Sequence, residues 1–132
     1  MNIKSSKELV DDANQSIKIM SAEQVKDAYE KKEVTLIDVR DIRELWKEGT
    51  IKDAIHIPRG MLEFWMDPQS PYYQEKKIGE IKNIVLFCAL GFRSALATKS
   101  LKEMGFNNVA NASGGFDSLK NAGLPIVQKE KN

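Results

Sequence analysis

The chain has 132 residues, 42% hydrophobic and 30% charged, which suits one soluble globular domain with its own core and excludes a disordered tail. Its 20 Lys and Arg stand against 19 Asp and Glu, and the signs are interspersed, so no basic stripe for nucleic acid is implied. With one cysteine, Cys88, the chain can form no internal disulfide and offers no cysteine cluster for a structural metal. The polar N-terminus lacks the apolar core of a signal peptide and no run reaches membrane-spanning length, so a reducing, cytoplasmic setting is expected.

Residues 4 to 15 carry Leu9, Val10 and Ala13 at helical spacing, which predicts a short peripheral helix in an N-terminal extension over residues 1–16. Ile17-Lys18-Ile19-Met20 alternates like a short strand. Ser21-Ala22-Glu23-Gln24 has the order of a helix capping box, so a helix should run from Ala22 to about Lys31. Val34 to Val39 is a nearly continuous β-branched and aliphatic run, as expected for a strand buried on both faces of a parallel sheet. Ile42 to Glu48 reads as a short helix stopped at Gly49, and Ala54 to Ile57 as a short strand ended by Pro58.

From Gly60 to Gly79 the periodicity is lost, and the stretch reads as a long connection with one helical turn at Met61 to Trp65. Phe64, Trp65, Tyr72 and Tyr73 within it, with Trp46, are expected to be core and pocket-wall residues. Asn83 to Phe87 is the most hydrophobic strand and runs straight into Cys88. A helix starting near Arg93 places Ala97, Leu101 and Met104 on one face and stops at Gly105. Val109 to Asn111 makes a further strand, Gly114-Gly115 a turn, Phe116 to Asn121 a last helix, and residues 128–132 a polar tail. Strand and helix alternate with no internal repeat, so the fold class is α/β: three layers, with a mainly parallel sheet flanked by helices on both faces.

Cys88 falls between a buried strand and a helix N-terminus, where open α/β sheets bind ligands. In Cys88-Ala89-Leu90-Gly91-Phe92-Arg93-Ser94, Gly91 permits a left-handed turn that aims successive N–H groups inward, and the following helix adds the partial positive charge of its N-terminus. Such a cradle suits an anion, either a thiolate or the terminal sulfur of a persulfide, and should lower the thiol below its free value of about 8.5. A free cysteine is more often an inert core residue. The order strand, cysteine, glycine, arginine, helix argues against that here, because each part serves one anion site.

These residues resemble the rhodanese, or thiosulfate sulfurtransferase, family over roughly residues 17 to 127. Its members carry a strand ending in Asp-Val-Arg, matched by Asp38-Val39-Arg40, and a Glu-Gly-His-Ile-x-Gly-Ala segment, which here reads Glu48-Gly49-Thr50-Ile51-Lys52-Asp53-Ala54. They also carry Cys-x-x-Gly-x-Arg, matched by Cys88 to Arg93, and Gly-Gly-aromatic, matched by Gly114-Gly115-Phe116. Thr50 and Asp53 replace the usual histidine and second glycine, and Leu119 replaces a tryptophan often found after the last motif.

The resemblance implies a small rhodanese-like domain and a double displacement on Cys88, which takes sulfane sulfur from thiosulfate or a persulfide and passes it to cyanide, a thiol or a protein. Ala89, Leu90, Gly91, Phe92, Arg93 and Ser94 would bind the anion. The covalent persulfide would be the only intermediate, without metal or organic cofactor. Asp38 and Arg40 would either organise this loop or form a structural ion pair, and Arg59 would either face the pocket or lie on the surface. His56 reads as a packed histidine rather than a base. The expected partners are small molecules or a protein acceptor, with no nucleic acid or membrane, and the chain is expected to be a monomer or weak homodimer. One rival is a non-catalytic binding or regulatory module, though such relatives often lack the cysteine. The other is a phosphatase or arsenate reductase, whose similar loops place five residues between cysteine and arginine where Ala89 to Phe92 supplies four.

Overall fold

The apolar runs become the middle of a parallel sheet in the computed structural model, which describes residues 2–81 and 83–131. Its strands are β1 (Lys18–Met20), β2 (Thr35–Asp38), β3 (Thr50–Ile51), β4 (Ile55–His56), β5 (Ile84–Phe87), β6 (Val109–Ala112) and β7 (Ile126–Val127). The helices are α1 (Ser6–Ser16), α2 (Ala22–Glu30), α3 (Ile42–Glu48), α4 (Leu62–Met66), α5 (Glu75–Ile78), α6 (Phe92–Met104) and α7 (Gly115–Asn121). Five strands form one sheet in the order β1-β6-β5-β2-β4, every neighbouring pair parallel, while β3 and β7 pair antiparallel in a separate ribbon.

Alternation along β5 divides the core in two. Ile84, Leu86 and then Cys88 join Ile37, Ile57, Leu62, Ala97 and Leu101 under α4 and α6, whereas Val85 and Phe87 join Val25, Ile51, Phe116 and Leu119 under α2 and α7. Helices therefore cover both faces. Helix α1 docks outside this arrangement, burying Val10 and Ala13 against Ala95 of α6.

The register carries the site. Asp38 lies opposite Phe87, and the Val39 amide donates to the Phe87 carbonyl at 3.0 Å, so the end of β2 stands beside the residue preceding Cys88.

Most expected elements form within a residue or two of their predicted ends. The capping box at Ser21 and Gln24 is made in both directions, and so are two more, Ser5 with Glu8 and Asp41 with Glu44. The long connection contains α5 as well as the turn at α4, and the β3–β7 ribbon was not predicted. Three apolar residues depart from expectation: Phe64 and Tyr72 are exposed and meet edge-on at 6.2 Å instead of lining a core, and Met104 is exposed at the C-terminal end of α6.

The family departures have local accounts. Thr50 is buried and donates to Asp38 at 2.7 Å, Leu119 fills core volume, and Asp53 holds a φ of 70°, a left-handed conformation that Asp tolerates better than most residues.

Candidate active site

Cys88 leaves the sheet at the C-terminal end of β5 and the chain turns at Gly91, whose φ of 104° is open to glycine and makes it the N-cap of α6. The turn folds donors back onto the sulfur. The Gly91 amide points at Sγ from 3.1 Å, the Ser94 amide from 3.4 Å and the Ser94 hydroxyl from 3.4 Å. Cys88 itself is 1% exposed. Burial alone pushes a thiol up. Here the Ser94 hydroxyl, the Ser94 amide and the Gly91 and Leu90 amides outweigh that effect and hold the Cys88 thiol below its ordinary value.

Two further contacts brace the turn. Buried Asn111, on β6, accepts from the Ser94 hydroxyl at 2.6 Å and donates through Nδ2 to the Gly91 carbonyl at 3.1 Å. The Ser94 hydroxyl has one proton for two acceptors, Asn111 Oδ1 and Cys88 Sγ, so a thiolate must compete for it. From the other side, the Phe116 amide donates to the Cys88 carbonyl at 2.7 Å. Gly115, at φ 60°, lies so close that a Cβ there would stand 2.5 Å from that carbonyl oxygen.

The cationic side chains beside the loop are paired with carboxylates. Arg93 does not hydrogen-bond the sulfur: its terminal nitrogens hold both carboxylate oxygens of Glu44 on α3, at 2.7 and 3.0 Å. The Arg93 guanidinium beside it holds the Glu44 carboxyl below its usual range, and Glu44 in turn raises Arg93. Arg59 pairs with Glu63 at 2.9 Å, and Glu63 also accepts from Ser100 at 2.6 Å, so Arg59 is tied to α4 and α6.

Arg40 and Asp38 are fully buried and joined at 2.8 Å. Arg40 also donates to the Gly49 carbonyl at 2.7 Å and lies over the Phe116 ring at 4.2 Å. That pair supports the loop from beneath, through Phe116, without touching Sγ. His56 donates from Nε2 to the Arg40 carbonyl at 2.7 Å, a packing role. Leu90 and Phe92 point outward, 53% and 61% exposed, an apolar rim around a buried sulfur.

No helix among the described residues is long and apolar enough to cross a membrane. A family model described as a rhodanese-like domain matches residues 21–122. The chain is 31% identical over 98 residues to a sulfurtransferase of Allochromatium vinosum, covering 74% of this chain and 82% of that protein. Among solved structures, a protein of unknown function from Rhodopseudomonas palustris, described as a possible tyrosine phosphatase, has TM-score 0.89 at 39% identity, over 96% of this chain and 97% of that one. The polysulfide-sulfur transferase homodimer of Wolinella succinogenes has TM-score 0.69 at 32% identity, over 96% of this chain and 89% of that one.

Proposed function

The chain belongs to the rhodanese-like domain family, and from that premise we propose that it is a sulfurtransferase that carries the transferred sulfur as a persulfide on Cys88. The observation behind this reading is the convergence of the Gly91 amide, the Ser94 amide and the Ser94 hydroxyl on a buried sulfur. A thiol meant only to fill the core has no use for anion-stabilising donors.

The reaction has two halves. The Cys88 thiolate attacks the outer sulfur of the donor, the sulfur–sulfur bond of the donor breaks with its electron pair leaving on sulfite or on a thiol, and Cys88 becomes a persulfide. An acceptor thiolate or cyanide then attacks the outer sulfur and the Cys88 thiolate returns. All charges balance without an external oxidant, and no resident metal or cofactor enters the scheme.

We further propose that a persulfide or polysulfide donor loads Cys88 better than thiosulfate does. The apolar rim of Leu90 and Phe92 favours an organic or sulfur-chain donor, and the likeness to a polysulfide-sulfur transferase supports the same class. The neighbour described as a possible tyrosine phosphatase does not shift the reading. The loop here has four residues between Cys88 and Arg93, and that arginine is turned to Glu44.

Intact mass before and after incubation with thiosulfate or a low-molecular-weight persulfide tests the central claim. The wild type should gain one sulfur, cyanide should remove it as thiocyanate, and Cys88→Ser should gain none. A wild-type chain that gains no sulfur from either donor, or a serine variant that still turns over, would sink the reading.

A further inference from the structure

All four arginines of the chain are committed to carboxylates: Arg40 to Asp38, Arg43 to Asp41, Arg59 to Glu63 and Arg93 to Glu44. At the loop the sulfur receives its hydrogen bonds from neutral donors, and the Arg93 guanidinium is paired with a carboxylate that reaches it from 49 positions away in the chain. The pairing is bidentate, the geometry in which an arginine is held most firmly. Glu44 is also ionised well below neutrality because of Arg93, so the cancellation persists throughout the physiological range.

We propose that Glu44 is a specificity-determining residue: by cancelling the charge of Arg93 at the mouth of the Cys88 loop, it turns the site away from small dianionic donors and toward persulfides of lower charge. The donor half of this statement rests on the sulfurtransferase reading; the electrostatic half does not.

The surroundings agree. Beside Arg93, α1 and α6 enclose a cleft of about 450 Å³ walled by Val10, Phe92 and Leu96, a volume that accommodates the organic arm of a small molecule. The charged groups on its α1 side, Lys7 and Asp11, are paired to each other at 2.8 Å. Behind the loop, Asp38 and Arg40 are likewise paired, so the buried guanidinium there is balanced by its own carboxylate.

Glu44→Gln isolates the charge. Gln is as good as Glu at the third position of a capping box, so the contact with the Asp41 amide and the helix itself should survive. The first readout is the ratio of Cys88 alkylation rates by iodoacetate, an anion, and iodoacetamide, its neutral counterpart. That ratio senses the charge at the mouth whether or not the protein transfers sulfur. It should rise about threefold to tenfold in Glu44→Gln, return toward the wild-type value in Glu44→Asp, and rise less as salt shortens the screening length to about 3 Å at 1 M.

The second readout is the loading rate of thiosulfate relative to a glutathione persulfide by intact mass, which should rise in the same variant by about threefold to thirtyfold, the donor being a dianion. An unchanged alkylation ratio in a variant of normal melting temperature overturns the electrostatic role. A raised alkylation ratio with an unchanged donor ratio overturns the specificity role. If the wild type accepts sulfur from neither donor, the sulfurtransferase reading fails while the alkylation ratio still judges Glu44.

Discussion

Gly115→Ala should disable the loop from outside the loop. Gly115 sits at φ 60°, and placing alanine in such a region costs about 1–3 kcal/mol. The larger effect is steric, because the added Cβ would stand 2.5 Å from the Cys88 carbonyl oxygen and 2.6 Å from the carbonyl carbon and oxygen of Ala89. These are backbone atoms, so no rotamer change relieves the overlap. Helix α7 cannot retreat freely either, since Phe116 donates to Cys88 at 2.7 Å and its ring is buried under Arg40.

Overpacking of this kind adds about 1–3 kcal/mol, and moving a catalytic group by about 1 Å can cost on the order of 100-fold in rate. The expected result is a fall in melting temperature on the order of 10 °C and sulfur loading slowed about 100-fold in the folded protein. Gly105→Ala is the control. Its φ is 110° but nothing lies within 4 Å of the new Cβ, so it should lose a few degrees of melting temperature and load normally. If Gly115→Ala loads sulfur as fast as Gly105→Ala, the loop is not held by α7 and the reasoning fails.

Three other outcomes follow from the buried groups. Alkylation of Cys88 by iodoacetamide should rise with pH to a plateau whose midpoint lies below the free-thiol value of about 8.5, since the Ser94, Gly91 and Leu90 donors lower the thiol. A folded pKa below the unfolded one contributes stability that is full above about pH 8.5 and is lost as pH falls through the folded value, so the melting difference between wild type and Cys88→Ser should grow with pH over that window. A midpoint at or above the free value would contradict the cradle. Asp38→Asn should destabilise by about 3–5 kcal/mol, because it leaves the Arg40 guanidinium buried without its counter-ion. Urea unfolding within about 1 kcal/mol of wild type would show that Glu48, 3.8 Å from Arg40, suffices in its place.

The α/β class was legible because strands buried on both faces leave continuous apolar runs, and Thr35–Asp38 and Ile84–Phe87 sit within such runs. The loop was legible because its parts are consecutive in the chain. What escaped was assembled across the chain. Glu44 could be read as the third residue of a capping box after Asp41, but nothing local says that its carboxylate meets Arg93. Asn111 was visible only as the end of a short strand, and its place behind Ser94 and Gly91 depends on β6 lying beside β5. The β3–β7 ribbon escaped because two-residue strands carry no periodicity. Phe64 and Tyr72 were misjudged by applying the average burial of aromatic residues to a long connection that reaches the surface.

On the sulfurtransferase reading, one loop must serve two anions at different depths. A sulfur–sulfur bond is about 2.05 Å long, so the charge of a Cys88 persulfide lies well outside the position at which Gly91 and Ser94 now meet Sγ. The first-turn amides of α6 have no acceptor within their own helix, and those of Phe92 and Arg93 belong to that turn. On that reading the thiolate would draw on Gly91 and Ser94, and the loaded sulfur on the amides between them. Loading would then move the charge from one set of fixed dipoles to the next. Neither set is a side-chain cation, so Glu44 can hold Arg93 without removing a hydrogen-bond donor from the sulfur.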